Sequence, residues 1–210
     1  MRGGTVVREL LSGGYKFEHV HMRRPVVSPD RRYVVVVRDP MARFVSAFNW
    51  RRHRLEEDRS PEGKDADAVG LMKRRVEESF IAMFETANVL AEQLEPLPGR
   101  DVAPIISMLS VIGHLVQGFT WYLDQMLDEI EPSQLLGVVA QENLDQDMRA
   151  LFGIPPTFAE HSDYPHGSRG LSALARRNLA RVFSEEYRAL SRLQSLADRA
   201  GVRMSVTYSP

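Results

Sequence analysis

The residues best equipped for chemistry stand in one short segment, Arg38-Asp39-Pro40-x-x-Arg43-x-x-Ser46. A β-branched apolar run, 33–37, leads directly into it. A guanidinium at the carboxyl end of a buried strand stands where open α/β sheets bind their ligands. Arg43 and Ser46 are three residues apart on a helix that Pro40 is suited to start, so they share a face. Two arginines and a hydroxyl near a helix start form a phosphate clamp. On spacing alone, a structural Arg–Asp pair capping the helix is the competing reading.

A second group is Glu18-His19-Val20-His21. Histidine titrates near neutral pH and suits a general base. On a strand, alternation puts His19 and His21 on one face, with His19 the preferred base. A strand-edge histidine pair without a chemical role is the alternative. No third ligand of matching spacing lies near, so no metal is expected. Trp50 and Trp121 suit stacking on a sugar or aromatic acceptor, or plain core packing. Arg51, Arg52 and Arg54 make a basic cluster, usable for an anionic acceptor or simply solvated at a helix end. His114, in Gly113-His-Leu-Val-Gln117, is a candidate for acceptor contact together with Gln117, and an ordinary helix-surface histidine is the alternative.

These groups need elements to position them. The run 33–37 reads as a strand buried on both faces, as in a parallel sheet. A similar run at 135–140 leads into a helix at 143–151. The helix from Pro40 carries Phe44, Val45, Phe48 and Leu55 as an apolar stripe. A short helix is expected at 5–11, a strand at 17–22 and a polar loop with Pro and Gly at 60–68. One long helix is expected over 69–94, a break near 97–101, and one long C-terminal helix over 171–200. Strands alternating with helices favour a single α/β domain spanning 1–210, with a helical majority.

Composition narrows the function classes. The chain has 210 residues, enough for one good core. Its 27 basic and 28 acidic residues nearly cancel, which argues against a dedicated nucleic-acid binder. Lysine occurs only at Lys16, Lys64 and Lys73, so nearly every cation is an arginine, a side chain matched to phosphate and sulfate. There is no cysteine, which removes disulfides, thiolate metal sites and cysteine nucleophiles. No apolar run reaches the roughly 18 to 20 residues that span a bilayer, and a cytoplasmic location is the expectation.

The segment 38–48 resembles the 3′-phosphate-binding motif of sulfotransferases that use 3′-phosphoadenosine 5′-phosphosulfate (PAPS), especially the carbohydrate-type branch. Members carry a hydrophobic strand followed by R-[DN]-P-x-x-R-x-x-S-[AY]-[FY], and every position is met here through Ala47 and Phe48. By that resemblance Arg38 and Ser46 hold the cofactor's 3′-phosphate, while Arg43 stabilises the turn. Gly3-Gly4-Thr5, with Arg2 before it, is similar to the end of the family's 5′-phosphosulfate loop, where glycines admit backbone amides to the phosphate. Glu142-Asn143-Leu144-x-x-Asp147 resembles a family element whose Glu and Asn are mostly structural. Ser168-Arg169 matches a loop that closes over the nucleotide, and 171–193 is similar to the last helix.

The resemblance implies a P-loop-like three-layer fold with a small, mostly parallel sheet flanked by helices. It also implies sulfuryl transfer from PAPS to a hydroxyl of a carbohydrate or small-metabolite acceptor, with adenosine 3′,5′-bisphosphate as product and no metal. The histidine of segment 18–21 matches a catalytic position of several members. Two departures stand out. The family's loop lysine, two residues before Gly3-Gly4, falls on Met1, leaving Arg2 or the α-amine as the cation, and His166 replaces an asparagine. A non-catalytic nucleotide-binding relative is therefore an alternative. A P-loop kinase-like phosphotransferase is another, although G-x-x-x-x-G-K-[ST] does not occur.

Overall fold

Consecutive β-branched residues lose little side-chain freedom in an extended chain, and a four-valine run forms one strand of the sheet while the other is a buried apolar run containing Val138 and Val139. The computed structural model describes residues 14, 16–20, 23–57, 68–110, 112, 115, 118–153 and 170–209. Among the described residues the chain order is β1 (Tyr33–Val37), α1 (Pro40–Glu57), α2 (Ala68–Ala82), α3 (Ala87–Glu92), α4 (Ala103–Leu109), α5 (Phe119–Glu129), β2 (Leu135–Ala140), α6 (Leu144–Phe152), α7 (Ala173–Val182) and α8 (Ser184–Ala200). Single 3-10 turns, Pro132–Gln134 and Gln141–Asn143, bracket β2. The protein is a helix-rich α/β chain with a two-stranded parallel sheet.

Contacts group the chain into two units. The first contains described residues of 1–39, 117–162 and 185–209 and carries the sheet. Val34, Val35, Val36 and Val37 pair with Gly137, Val138, Val139 and Ala140, after an irregularity between Tyr33 and Val34. Both strands therefore end level, and Arg38 and Gln141 leave the same carboxyl edge. On one face Val34 and Val36 pack with Val139, Leu144, Met148, Leu151 and Phe152, so α6 covers it. Gly137 permits this approach, because a Cβ there would lie 2.6 Å from Leu151 Cδ1. The alternate residues Val35, Val37, Val138 and Ala140 are also buried, as a parallel strand covered on both faces requires. At the opposite edge, Gln134 Nε2 donates to Ser28 O (2.8 Å) and Arg31 O (3.2 Å), tying the approach to β1 to the approach to β2.

The second unit contains described residues of 40–116 and 163–184 and is helical. Within it α1 packs on α2, α3 and α7, and α3 packs on α7. Phe44 and Phe48 of α1 are fully buried, with Ile81, Leu90, Leu94 and Leu179. The Phe44 and Phe183 rings lie 6.1 Å apart.

Three expectations are corrected. The helix expected over 69–94 is two helices, α2 and α3. Thr86 turns extended (φ −141°, ψ 161°) and its hydroxyl accepts from Val89 N, capping a new start. The carbonyls freed just before it are taken by Arg52, whose Nη1 donates to Phe84 O (2.6 Å) and Glu85 O (2.7 Å). The helix expected over 171–200 is also two, divided at the buried Phe183, which departs from helical geometry at ψ 17°. The strand expected over 17–22 is not formed at 16–20. There Glu18 is held by Arg23 and Arg31 instead of joining a ladder. The helices α4 and α5 were not anticipated from the sequence.

Candidate functional site

Two strands ending level place two turns side by side at the carboxyl edge of the sheet, and polar side chains of the first unit converge there. Asp39, directly after Arg38, is held at both ends. Its backbone N–H donates to Glu142 Oε1 (3.0 Å), and its carboxylate Oδ2 accepts from Tyr187 Oη (3.0 Å). Glu142 lies in the 3-10 turn that leaves β2, and its other oxygen, Oε2, accepts from Tyr208 Oη (2.8 Å). Tyr187 comes from α8 and Tyr208 from the chain beyond it, so four separate stretches of sequence meet at the Arg38–Asp39 turn.

Asp147, in the first turn of α6, supports the second turn. Its buried carboxylate accepts from Ala140 N (2.7 Å) and from Ser205 Oγ (2.8 Å). Asn143 Nδ2 donates to Ser205 O (3.3 Å). Glu142, Asn143 and Asp147 of the Glu142-Asn143-Leu144-x-x-Asp147 element therefore each make a different tie. Burial and the neighbouring Glu142 hold the Tyr208 hydroxyl far above the ordinary phenol range, with the Asp39 and Asp147 charges acting in the same direction. Tyr208 therefore stays a neutral donor.

The expected site residues fall as follows. Arg38 is half-buried immediately after β1 in the first unit. Ser46, Arg43 and Trp50 are half-buried on α1 in the second unit. Trp50 carries the Arg51 guanidinium 4.5 Å from its ring centroid, while Arg51 Nε sits 2.8 Å from Glu77 Oε1. With Arg52 on the carbonyls after α2, Arg51 and Arg52 of the basic cluster are engaged in packing, not merely solvated. Trp121 has the Arg24 guanidinium 5.5 Å from its ring centroid, and its ring stands nearly perpendicular to that of Tyr122 with the centroids 4.7 Å apart.

His19 is exposed in a stretch without strand structure. His21, Arg2, Gly3, Gly4, Thr5, His114, Gln117, Ser168 and Arg169 lie outside the described residues. Among the described residues no group of three or more His, Cys, Asp or Glu is arranged to hold a metal ion. No helix among them is long and apolar enough to cross a membrane.

Sequence reasoning missed Tyr187 and Tyr208 as partners of this edge. Tyr187 stood in the segment likened to the family's last helix, which marked it without naming its partner. Tyr208 had no signal beyond being an aromatic with a polar tip near the end of the sequence. Comparison of the chain with protein-family models, curated proteins and solved structures found no match.

Proposed function

We propose that this protein binds the 3′-phosphate of PAPS and transfers its sulfuryl group to a hydroxyl of a carbohydrate or small-metabolite acceptor. The observation that supports it best is the Arg38-Asp39-Pro40-x-x-Arg43-x-x-Ser46 segment, running from the carboxyl end of a parallel strand into a helix that begins at Pro40. That is the local setting in which an arginine and a hydroxyl can clamp a phosphate. Arg38 and Ser46 are the 3′-phosphate ligands in this reading, and Gly3-Gly4-Thr5 with Arg2 receives the 5′-phosphosulfate.

In the transfer, the acceptor oxygen bonds to sulfur as the bond from sulfur to the bridging oxygen breaks. The acceptor proton passes to His19 or His21, and adenosine 3′,5′-bisphosphate leaves. Such chemistry asks for in-line placement and charge stabilisation on the leaving oxygen. The residue in the place of the family's loop lysine is Met1, which favours, as a second reading, a protein that binds the bisphosphate without turning over.

Calorimetry with adenosine 3′,5′-bisphosphate and with ATP tests the clamp. The bisphosphate should bind in preference to ATP, and Arg38→Ala should weaken it about 100-fold, the scale of a lost charge-assisted contact. Wild-type affinity in Arg38→Ala, or no bisphosphate binding at all, sinks both readings. Release of the bisphosphate from PAPS in the presence of candidate acceptors separates the first reading from the second.

A further inference from the structure

The carboxyl edge of the sheet presents two carboxylates, Asp39 and Glu142, beside Arg38, an arrangement that looks adverse for a phosphate site. Each carboxylate, however, already accepts a donor in a defined direction. Tyr187 Oη lies 3.0 Å from Asp39 Oδ2, Asp39 N lies 3.0 Å from Glu142 Oε1, and Tyr208 Oη lies 2.8 Å from Glu142 Oε2. All five residues belong to the first unit. Tyr187 and Tyr208 are buried, so neither hydroxyl gives up its carboxylate to water at little cost.

The peptide that joins Arg38 to Asp39 is thus held through its own N–H by Glu142, and the residue it leads into is held through its side chain by Tyr187. A turn fixed at consecutive points has little freedom left, and the direction in which Arg38 leaves the sheet follows from that of the peptide. Preorganised groups bind anions better than mobile ones, because less ordering remains to be done on binding.

From this we infer that Tyr187 and the Glu142–Tyr208 pair are positioning residues that set the Arg38 turn for a 3′-phosphorylated nucleotide. The inference rests on the proposed PAPS reading and extends it to three residues that touch no ligand in it. These residues act by hydrogen bonding. Glutamine at 142 keeps one carbonyl oxygen to accept from Asp39 N and turns its amide N–H2 to the Tyr208 oxygen, whereas alanine keeps neither contact.

The test is calorimetric titration of adenosine 3′,5′-bisphosphate into wild type, Tyr187→Phe, Glu142→Ala and Glu142→Gln, with a thermal melt of each. Tyr187→Phe and Glu142→Ala should each weaken binding about 10-fold, and Glu142→Gln should restore it to within about 2-fold of wild type. Wild-type affinity in both Tyr187→Phe and Glu142→Ala overturns the inference while leaving the clamp intact. A Glu142→Gln variant as weak as Glu142→Ala overturns the positioning role as well, since charge and not hydrogen bonding would then matter. If wild type itself does not bind the bisphosphate, the PAPS reading falls and this inference falls with it. Should Glu142→Ala fail to fold, Tyr187→Phe carries the test, because phenylalanine keeps the ring and removes only the hydroxyl.

Discussion

The two units use buried and half-buried polar side chains for different ends. In the second, the contacts between α3 and α7 complete helix termini. Ser172 Oγ accepts from Ala175 N and donates to Glu92 Oε1 (2.7 Å), while Asn88 Oδ1 accepts from Ser172 N (2.7 Å). At the far end of α3, Asn178 Nδ2 donates to Ala91 O (3.0 Å), and Arg181 donates to Leu94 O. Every helix leaves unpaired groups at its ends, so this network follows from helix geometry alone.

In the first unit the polar groups gather instead on two turns that leave parallel strands, where sterics and the ladder demand far less. Helix geometry does not call for a tyrosine from α8 on the Asp39 carboxylate, nor for Tyr208 on Glu142. Polar groups gathered on two strand-end turns, at the edge where α/β sheets bind ligands, are what set this region apart.

The sharpest way to break the comparison is Asp147→Ala. It strips a buried acceptor from Ala140 N and Ser205 together, and should cost about 3 kcal/mol in urea unfolding. A loss below about 1 kcal/mol would show that the second turn is held by packing alone. In the second unit, Ser172→Ala removes the cap of α7, and a loss of about 1 kcal/mol is expected by the same measurement.

The smallest effects lie in pH. The Ser172 and Asn88 donors hold the Glu92 carboxyl below its ordinary 4.5, so its contribution is present above that value and fades as pH falls through the lowered one. Glu18, held down by Arg31 and Arg23, acts in the same direction in the first unit. Tyr208 has the opposite sign. Its folded value is raised, so its contribution is complete below the ordinary 10.0 and is lost as pH rises beyond it. Stability measured across pH 9 to about 11 should therefore fall less steeply in Tyr208→Phe than in wild type. Identical slopes would remove Tyr208 from the network.

Much of the scaffold was legible in the residues. The runs 33–37 and 135–140 emerged as strands with those bounds, because β-branched residues bounded by charge, proline and polar turns have few other conformations available. Pro40 started its helix for an equally local reason, a fixed φ and no N–H to leave unpaired. The helix breaks at 83–86 and at 183 were not legible. Neither contains glycine or proline, and each depends on a distant partner: Arg52 for the carbonyls of 84 and 85, the Phe44 ring for Phe183. No strand is formed at 16–20, where Glu18 is paired with Arg23 and Arg31, a partnership that alternation cannot foresee.

By itself the sequence determined the α/β class, the two strands and the Arg38-to-Ser46 segment between strand and helix, since each depends on neighbouring residues and their conformational preferences. Tertiary structure alone decided what surrounds that segment's first half. Asp39 meets Glu142, Tyr187 and, through Glu142, Tyr208 across more than a hundred residues of chain. Such pairings are chosen by how the parallel register levels two strand ends and brings α8 and the residues after it to that edge. No local preference in the sequence encodes them.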